Sequence, residues 1–178
     1  MFEDVLHFWF TETAPPQWWK ADPQFDAVIA ARYGALHARA VLGEWFEWRQ
    51  QPRGRLAEII VLDQFSRNLF RGTARAFAGD AMALALAQEA VAGLHDQALA
   101  PLERSFLYMP YMHSESSAIH THAERLFASL GMPESHRSER EHKAIVDRFG
   151  RYPHRNAALG RPSTAAELEF LAGAGARF

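Results

Sequence analysis

The 178-residue sequence predicts an all-α protein of seven or eight antiparallel helices. Three observations carry that expectation. Apolar residues recur at spacings of three and four in almost every segment. Proline, glycine and short capping side chains separate those segments. No stretch has the alternation of a strand or the residues of a hairpin turn. With 48% apolar and 12% aromatic residues, the chain can bury a core as one domain over residues 1–178.

Phe2 to Phe10 reads as a short helix broken by Pro15-Pro16. Asp22 is an N-cap with Pro23 at the first helical position, opening a helix to about Val41. Ile29, Leu36 and His37 share one face of it. Pro52 and Gly54 mark a break. From Leu56 to Leu69 the residues Ile59, Ile60, Val61, Leu62 and Phe65 are apolar nearly all round, the pattern of a buried central helix ended by Gly72. Asp80 caps an alanine-rich helix to about Ala92, and Pro101 opens the next, which Pro110 kinks or ends. Ser117 to Leu130 is a helix closed by Gly131. Ser138-x-x-Glu141 and Thr164-x-x-Glu167 read as capping boxes, before Ile145 and Val146 and before Leu168, Phe170 and Leu171. Trp18, Trp19, Trp45 and Trp48 read as core. Helix pairs return at intervals of roughly 35 residues, as in helical repeats.

Composition narrows the function. The absence of cysteine excludes disulfides, cysteine-ligated metals and a thiol nucleophile. A net charge of −2 argues against nucleic acid as a partner. The longest apolar run, Ala81 to Ala87, is too short to span a membrane, and Met-Phe-Glu-Asp does not open a secretory signal, so a cytoplasmic location is expected. Of 19 basic residues 17 are arginine, whose planar fork suits carboxylates and phosphates. Residues 49–75 carry 6 arginines against Glu58 and Asp63, and residues 137–161 carry 7 basic groups against 3 acidic.

Three polar constellations follow. Asp63, Arg67 and Arg71, with Asn68 between them, continue the apolar stripe of the central helix at i, i+4 and i+8. Charges there must pair or line a wet cavity, because burying them alone costs several kcal/mol, by order of magnitude. His113 and Glu115 follow Pro110 at a helix junction, where histidine transfers protons near neutral pH and glutamate orients it. Arg151-Tyr152-Pro153-His154-Arg155-Asn156 presents two arginines, a histidine and an asparagine on a proline-stiffened loop. The bland alternative pairs Arg155 and His154 with acids of other helices, such as Asp63 or Glu115. No metal is expected: His120-x-His122 splits its rings between faces, and H-E-x-x-H is absent. No cofactor is expected either, since there is no glycine-rich phosphate loop, and no G-x-S-x-G elbow marks a serine hydrolase.

The chain resembles a bacterial family of all-helical proteins known as a domain of unknown function. The matching residues are Val5 to Phe10, Trp18-Trp19, Asp22, Phe25-Asp26, Leu62 to Thr73, Ala76-Phe77, Pro101 to Arg104, Met112 to Glu115, Phe149 to Asn156, Leu159 to Arg161 and Ser163-Thr164. The resemblance covers essentially the whole chain and implies a tetratricopeptide-like superhelical stack. It implies no activity and assigns no catalytic residue. Ser66 stands where the family pattern has proline, and Ser116 to His122 is less acidic than that pattern.

Two functions are expected from these residues. In the first, His113 or His154 is a general acid–base partnered by Asp63 or Glu115, and Arg67, Asn68, Arg71, Arg151, Arg155 and Asn156 hold a small anionic metabolite. In the second, the stack binds a protein or peptide partner and the polar motifs are an ion-pair network. One compact site requires the three motifs to meet within hydrogen-bond reach of a shared ligand.

Overall fold

The computed structural model describes residues 1–173, which are helical with no strand. Helix α1 (Phe2–His7) widens into a π-turn over Phe8–Glu12, closed where the Thr13 amide and hydroxyl both donate to the Phe8 carbonyl, at 3.0 and 2.8 Å. Helix α2 (Pro23–Val41) starts as its sequence dictates. The Asp22 carboxylate accepts from the Gln24 and Phe25 amides at 2.9 and 3.4 Å, satisfying donors that a helix start leaves orphaned. Phe25, Ile29, Tyr33, His37 and Ala40 then form its buried stripe.

The central run is α3 (Pro52–Ile60), a π-turn over Val61–Phe65 and α4 (Ser66–Leu69), continuous in the chain. Residues 56–66 are all buried, as an all-round apolar pattern requires. Its start corrects the sequence reading, which placed a break at Pro52 and Gly54. Pro52 is the first helical residue, where a missing N–H costs nothing. Gly54 lies inside the helix, where a Cβ would come within 2.1 Å of the Trp48 carbonyl oxygen. Glycine here lets the 3₁₀ turn Phe46–Gln50 lie against α3.

Helices α5 (Asp80–Ala92), α6 (Pro101–Met112), α7 (Ser117–Ala128) and α8 (Pro133–Phe149) follow, each packed on the next, and α8 also reaches α6. Three expectations need correction. Asp80 does not cap α5: Gly79 holds that position, and the Asp80 carboxylate turns to arginines instead. Pro110 does not end α6, which runs through it to Met112. Ser138 opens no helix, because Pro133 at the first helical position starts α8 five residues earlier. The other box is real: in α9 (Ala165–Ala172) Thr164 Oγ1 accepts from the Glu167 amide at 3.3 Å, and the Glu167 carboxylate accepts from the Thr164 amide at 2.7 Å.

Helix α1 packs on α3, and α2 on α4 and the second π-turn. Between them Phe8, Trp9, Phe25, Tyr33, Phe65 and Phe106 form an aromatic core. Trp45 and Trp48 stack within it at 4.8 Å, but Trp19 is exposed and stacks on Phe106 from outside, against the expectation of a core tryptophan. A smaller cluster of Ile145, Val146 and Tyr152 supports segment 151–161 against α8. No described helix is long and apolar enough to cross a membrane.

Two glycine replacements test this packing. Gly54→Ala forces a carbon onto the Trp48 carbonyl and is expected to lower the unfolding free energy by about 2–3 kcal/mol. Gly34, inside α2, has nothing within 4 Å of the point where a methyl group would sit, so Gly34→Ala is expected to raise stability by up to about 1 kcal/mol. Urea unfolding of the two variants checks both signs.

Candidate functional site

The π-turn carries Asp63 into the interior, where its side chain is 1% exposed. A buried carboxylate must be neutralised and hydrogen-bonded. Gln64 Nε2 donates to it at 2.6 Å, Arg67 Nη1 lies 3.2 Å away, and His113 Nδ1 donates at 2.8 Å. Burial alone would push the carboxyl up, but Arg67 and then His113 outweigh it and hold Asp63 ionised, well below the usual carboxylate range. A carboxylate only accepts, so His113 Nδ1 carries hydrogen. Burial, and then Arg67, push the His113 pKa down despite Asp63. The ring is therefore neutral at pH 7, with the lone pair on Nε2. Its side chain remains 15% exposed.

The backbone that carries His113 is held on three consecutive carbonyls. Tyr152 Oη donates to Met112 O at 2.5 Å, Arg155 Nη2 to His113 O at 2.9 Å, and His120 Nε2 to Ser114 O at 2.9 Å. The end of α6 would otherwise leave such acceptors orphaned. The donors come from segment 151–161 and from α7, so two separate parts of the chain fix the backbone of one histidine.

The arginines are organised around carboxylates. Asp80 receives Arg67 in a bidentate pair at 3.0 and 3.1 Å and Arg155 at 3.1 Å. The Arg155 guanidinium lies between the Phe77 and Tyr152 rings, 4.7 and 4.6 Å from their centroids, with its side chain 7% exposed. Glu115 binds Arg161 through both oxygens at 2.6 and 2.9 Å and accepts from the Tyr152 amide at 2.7 Å. Buried Asn156 accepts from Arg161 Nε at 3.0 Å and donates to Ser163 Oγ at 3.0 Å.

Of the ten residues singled out in the sequence, Asp63, Arg67, His113 and Arg155 meet through Asp80, and Glu115 and Asn156 adjoin them through Tyr152 and Arg161. Arg71 and Asn68 instead turn to Asp26 on α2, at 2.9 and 2.8 Å, and α4 ends at Leu69, before Arg71 could continue the Asp63–Arg67 face. Arg151 turns away to Glu167 at 2.7 Å. His154 is exposed, with its ring 5.4 Å from that of Tyr152. Of the two carboxylates expected as partners, Asp63 or Glu115, it is Asp63 that meets His113, since Arg161 takes Glu115. Arg155 pairs with Asp80, not with Asp63 or Glu115.

Sequence reasoning missed Asp80, His120, Glu139, His142, Tyr152 and Arg161. Arg161 and Tyr152 lay within segments already singled out, and His142 and Glu139 share one face of α8 at i, i+3. His142 Nδ1 donates to Ser138 O at 2.8 Å, and burial pushes its pKa down to about 3. Among the described residues no three histidine, aspartate or glutamate side chains are placed to hold a metal ion.

The site is thus an ionised aspartate paired with a neutral histidine, set in a self-neutralising arginine–carboxylate network on an all-helical frame. Residues 5–175 match the family described as bacterial protein of unknown function, DUF924, and the chain belongs to that family. It is similar to a solved structure of the Agrobacterium tumefaciens protein ATU0120, itself described as of unknown function. The two are 37% identical over 96% of each chain, with a TM-score of 0.91. No curated protein matches the chain.

Two outcomes follow from this geometry. Arg155→Met, which keeps the stem and removes the charge, is expected to cost about 3 kcal/mol in urea unfolding, the scale of a broken buried pair. Arg71→Met removes a more exposed ion pair and is expected to cost less than about 1 kcal/mol. Stability should also depend on acid. His113 and His142 have folded pKa values below the unfolded histidine value, so unfolding takes up protons below about pH 6.5. Their contribution is complete above that pH and is lost as pH falls through the folded values. Unfolding measured between pH 7 and 5 should show falling stability, and His142→Gln should flatten the slope.

Proposed function

We propose that this protein is an acid–base catalyst in which His113 removes or delivers a proton at Nε2 and Asp63 holds its tautomer. The observation that carries this reading is the 2.8 Å contact between His113 Nδ1 and the buried, ionised Asp63, on a histidine that stays partly exposed. That pairing leaves a basic lone pair on Nε2 at neutral pH, the state a general base needs. A π-turn at Asp63 supports the same reading, since such bulges recur at functional sites.

The arginines are scaffold in this reading. Arg67, Arg71, Arg151 and Arg155 each have a carboxylate within 3.1 Å, which favours the network role over capture of an external anion. Their work is to keep Asp63 charged and the 112–114 backbone fixed. The serial packing of α5 to α8 supports a tetratricopeptide-like stack as the frame. The reaction class is proton transfer to or from a small substrate, with activation of water for hydrolysis as its simplest form.

The test is turnover of p-nitrophenyl acetate, an ester that responds to a general base. The parent is expected to exceed the buffer rate, and His113→Asn to lose about 10²-fold, the usual scale for a positioned base. Asp63→Asn should also lose rate, and the parent's rate should stay level from pH 8 to below 6.5. A folded His113→Asn variant that keeps the parental rate would sink the proposal, as would a parent no faster than buffer.

A further inference from the structure

Behind His113 lies a second acid–histidine pair that the proposed chemistry does not use. His120 on α7 and Glu139 on α8 are both fully buried, with Nδ1 and Oε1 2.7 Å apart. The other nitrogen, Nε2, faces the Ser114 carbonyl at 2.9 Å and the Tyr152 hydroxyl oxygen at 3.1 Å. A carbonyl can only accept, and the Tyr152 hydrogen is already directed at Met112 O, so Nε2 must carry hydrogen. One further proton lies between Nδ1 and Oε1. It makes either an imidazolium beside a carboxylate or an imidazole beside a carboxylic acid.

Two features decide between them. Glu139 Oε2 is buried and has no hydrogen-bond partner. As half of a carboxylate it would be an uncompensated charged acceptor, whereas as the carbonyl oxygen of an acid it costs much less. The charges facing the pair divide, since Asp147 on α8 also lies near His120. Glu124 on α7 opposes a Glu139 carboxylate and Lys143 on α8 favours one, while the Tyr152 ring closes the third side. Burial is the largest influence on Glu139 and pushes its carboxyl upward.

We propose that Glu139 is a positioning residue: it holds a proton at neutral pH, donates it from Oε1 to His120 Nδ1, and so locks Nε2–H onto the Ser114 carbonyl beside His113. This rests on the reading of His113 as the acid–base group. The uncharged pair acts as a strut with a fixed direction. It fixes the His120 tautomer, and the tautomer fixes the carbonyl that follows His113. If Glu139 were lost, Nδ1 could take the ring's single hydrogen, and Ser114 O would face a lone pair.

Two readouts test this without requiring catalysis. Infrared spectroscopy of the folded chain at pH 7 is expected to contain the C=O stretch of a protonated carboxylic acid, missing from Glu139→Gln. Diethyl pyrocarbonate acylates unprotonated imidazole nitrogen, so its rate at His113, followed by mass spectrometry, reports the placing of Nε2. Glu139→Gln keeps a donor to Nδ1 and should leave that rate unchanged, while Glu139→Leu should change it by about tenfold, the scale for losing a partner that orients a histidine. Should Glu139→Leu not fold, His120→Gln and His120→Asn replace it. Gln reproduces the Nε2 donor and should keep the His113 rate, while Asn reproduces only the Nδ1 side and should not. Absence of the carboxylic acid band overturns the protonation assignment. Parental His113 reactivity in folded Glu139→Leu, or in folded His120→Asn, overturns the positioning role. Either result stands whether or not His113 turns over an ester.

Discussion

A carboxylate sealed at Asp63 is the constraint on which the rest of the structure depends. An ionised group in that position is tolerated only with full hydrogen bonding and nearby positive charge. Gln64 and His113 supply the first, and Arg67 the second. Arg67 in turn needs Asp80, Asp80 recruits Arg155, and Arg155 reaches back to the carbonyl of His113. The circuit closes on His113, the hydrogen-bond partner of the Asp63 where it began. Its charges cancel locally, so the chain keeps a buried polar centre with a net charge of only −2 over 178 residues.

The same circuit explains why the chain's end half is folded as it is. Segment 151–161 has little apolar area of its own beyond Tyr152, yet it is anchored by Glu115, Arg161, Asn156 and Ser163. It brings Tyr152 and Arg155 under the end of α6, where open carbonyls need donors. Stability and site geometry are therefore one set of contacts. Removing a network member both loosens the fold and frees the backbone around His113.

Much of this was legible in the sequence. Helix periodicity, the Asp22-Pro23 start and the Thr164-x-x-Glu167 box are local signals, and local physics decides them. The polar motifs were recognisable as charges on the extension of an apolar stripe. Their partners were not, because Asp63 with His113 and Arg155 with Asp80 are chosen by tertiary packing across 50 and 75 residues. Asp80 looked like a cap because aspartate at a helix start usually is one; here two arginines compete for it more strongly. The π-turn was also hidden, since nothing in Val61 to Phe65 marks a change of helical pitch. Ser66, where the resembling family has proline, now has a role: its hydroxyl donates to Leu62 O at 2.6 Å and meets His37 Nε2 at 2.7 Å.

At the centre of the site His113 is a neutral imidazole with its hydrogen on Nδ1 and its lone pair on Nε2. Long-range ¹H–¹⁵N NMR of the histidine rings reads both nitrogens directly. Between pH 6.5 and 8 a protonated Nδ1 and a bare Nε2 are expected at His113, an arrangement that weakens in Asp63→Asn. A hydrogen on Nε2, or on both nitrogens, would contradict it and leave the network as architecture alone.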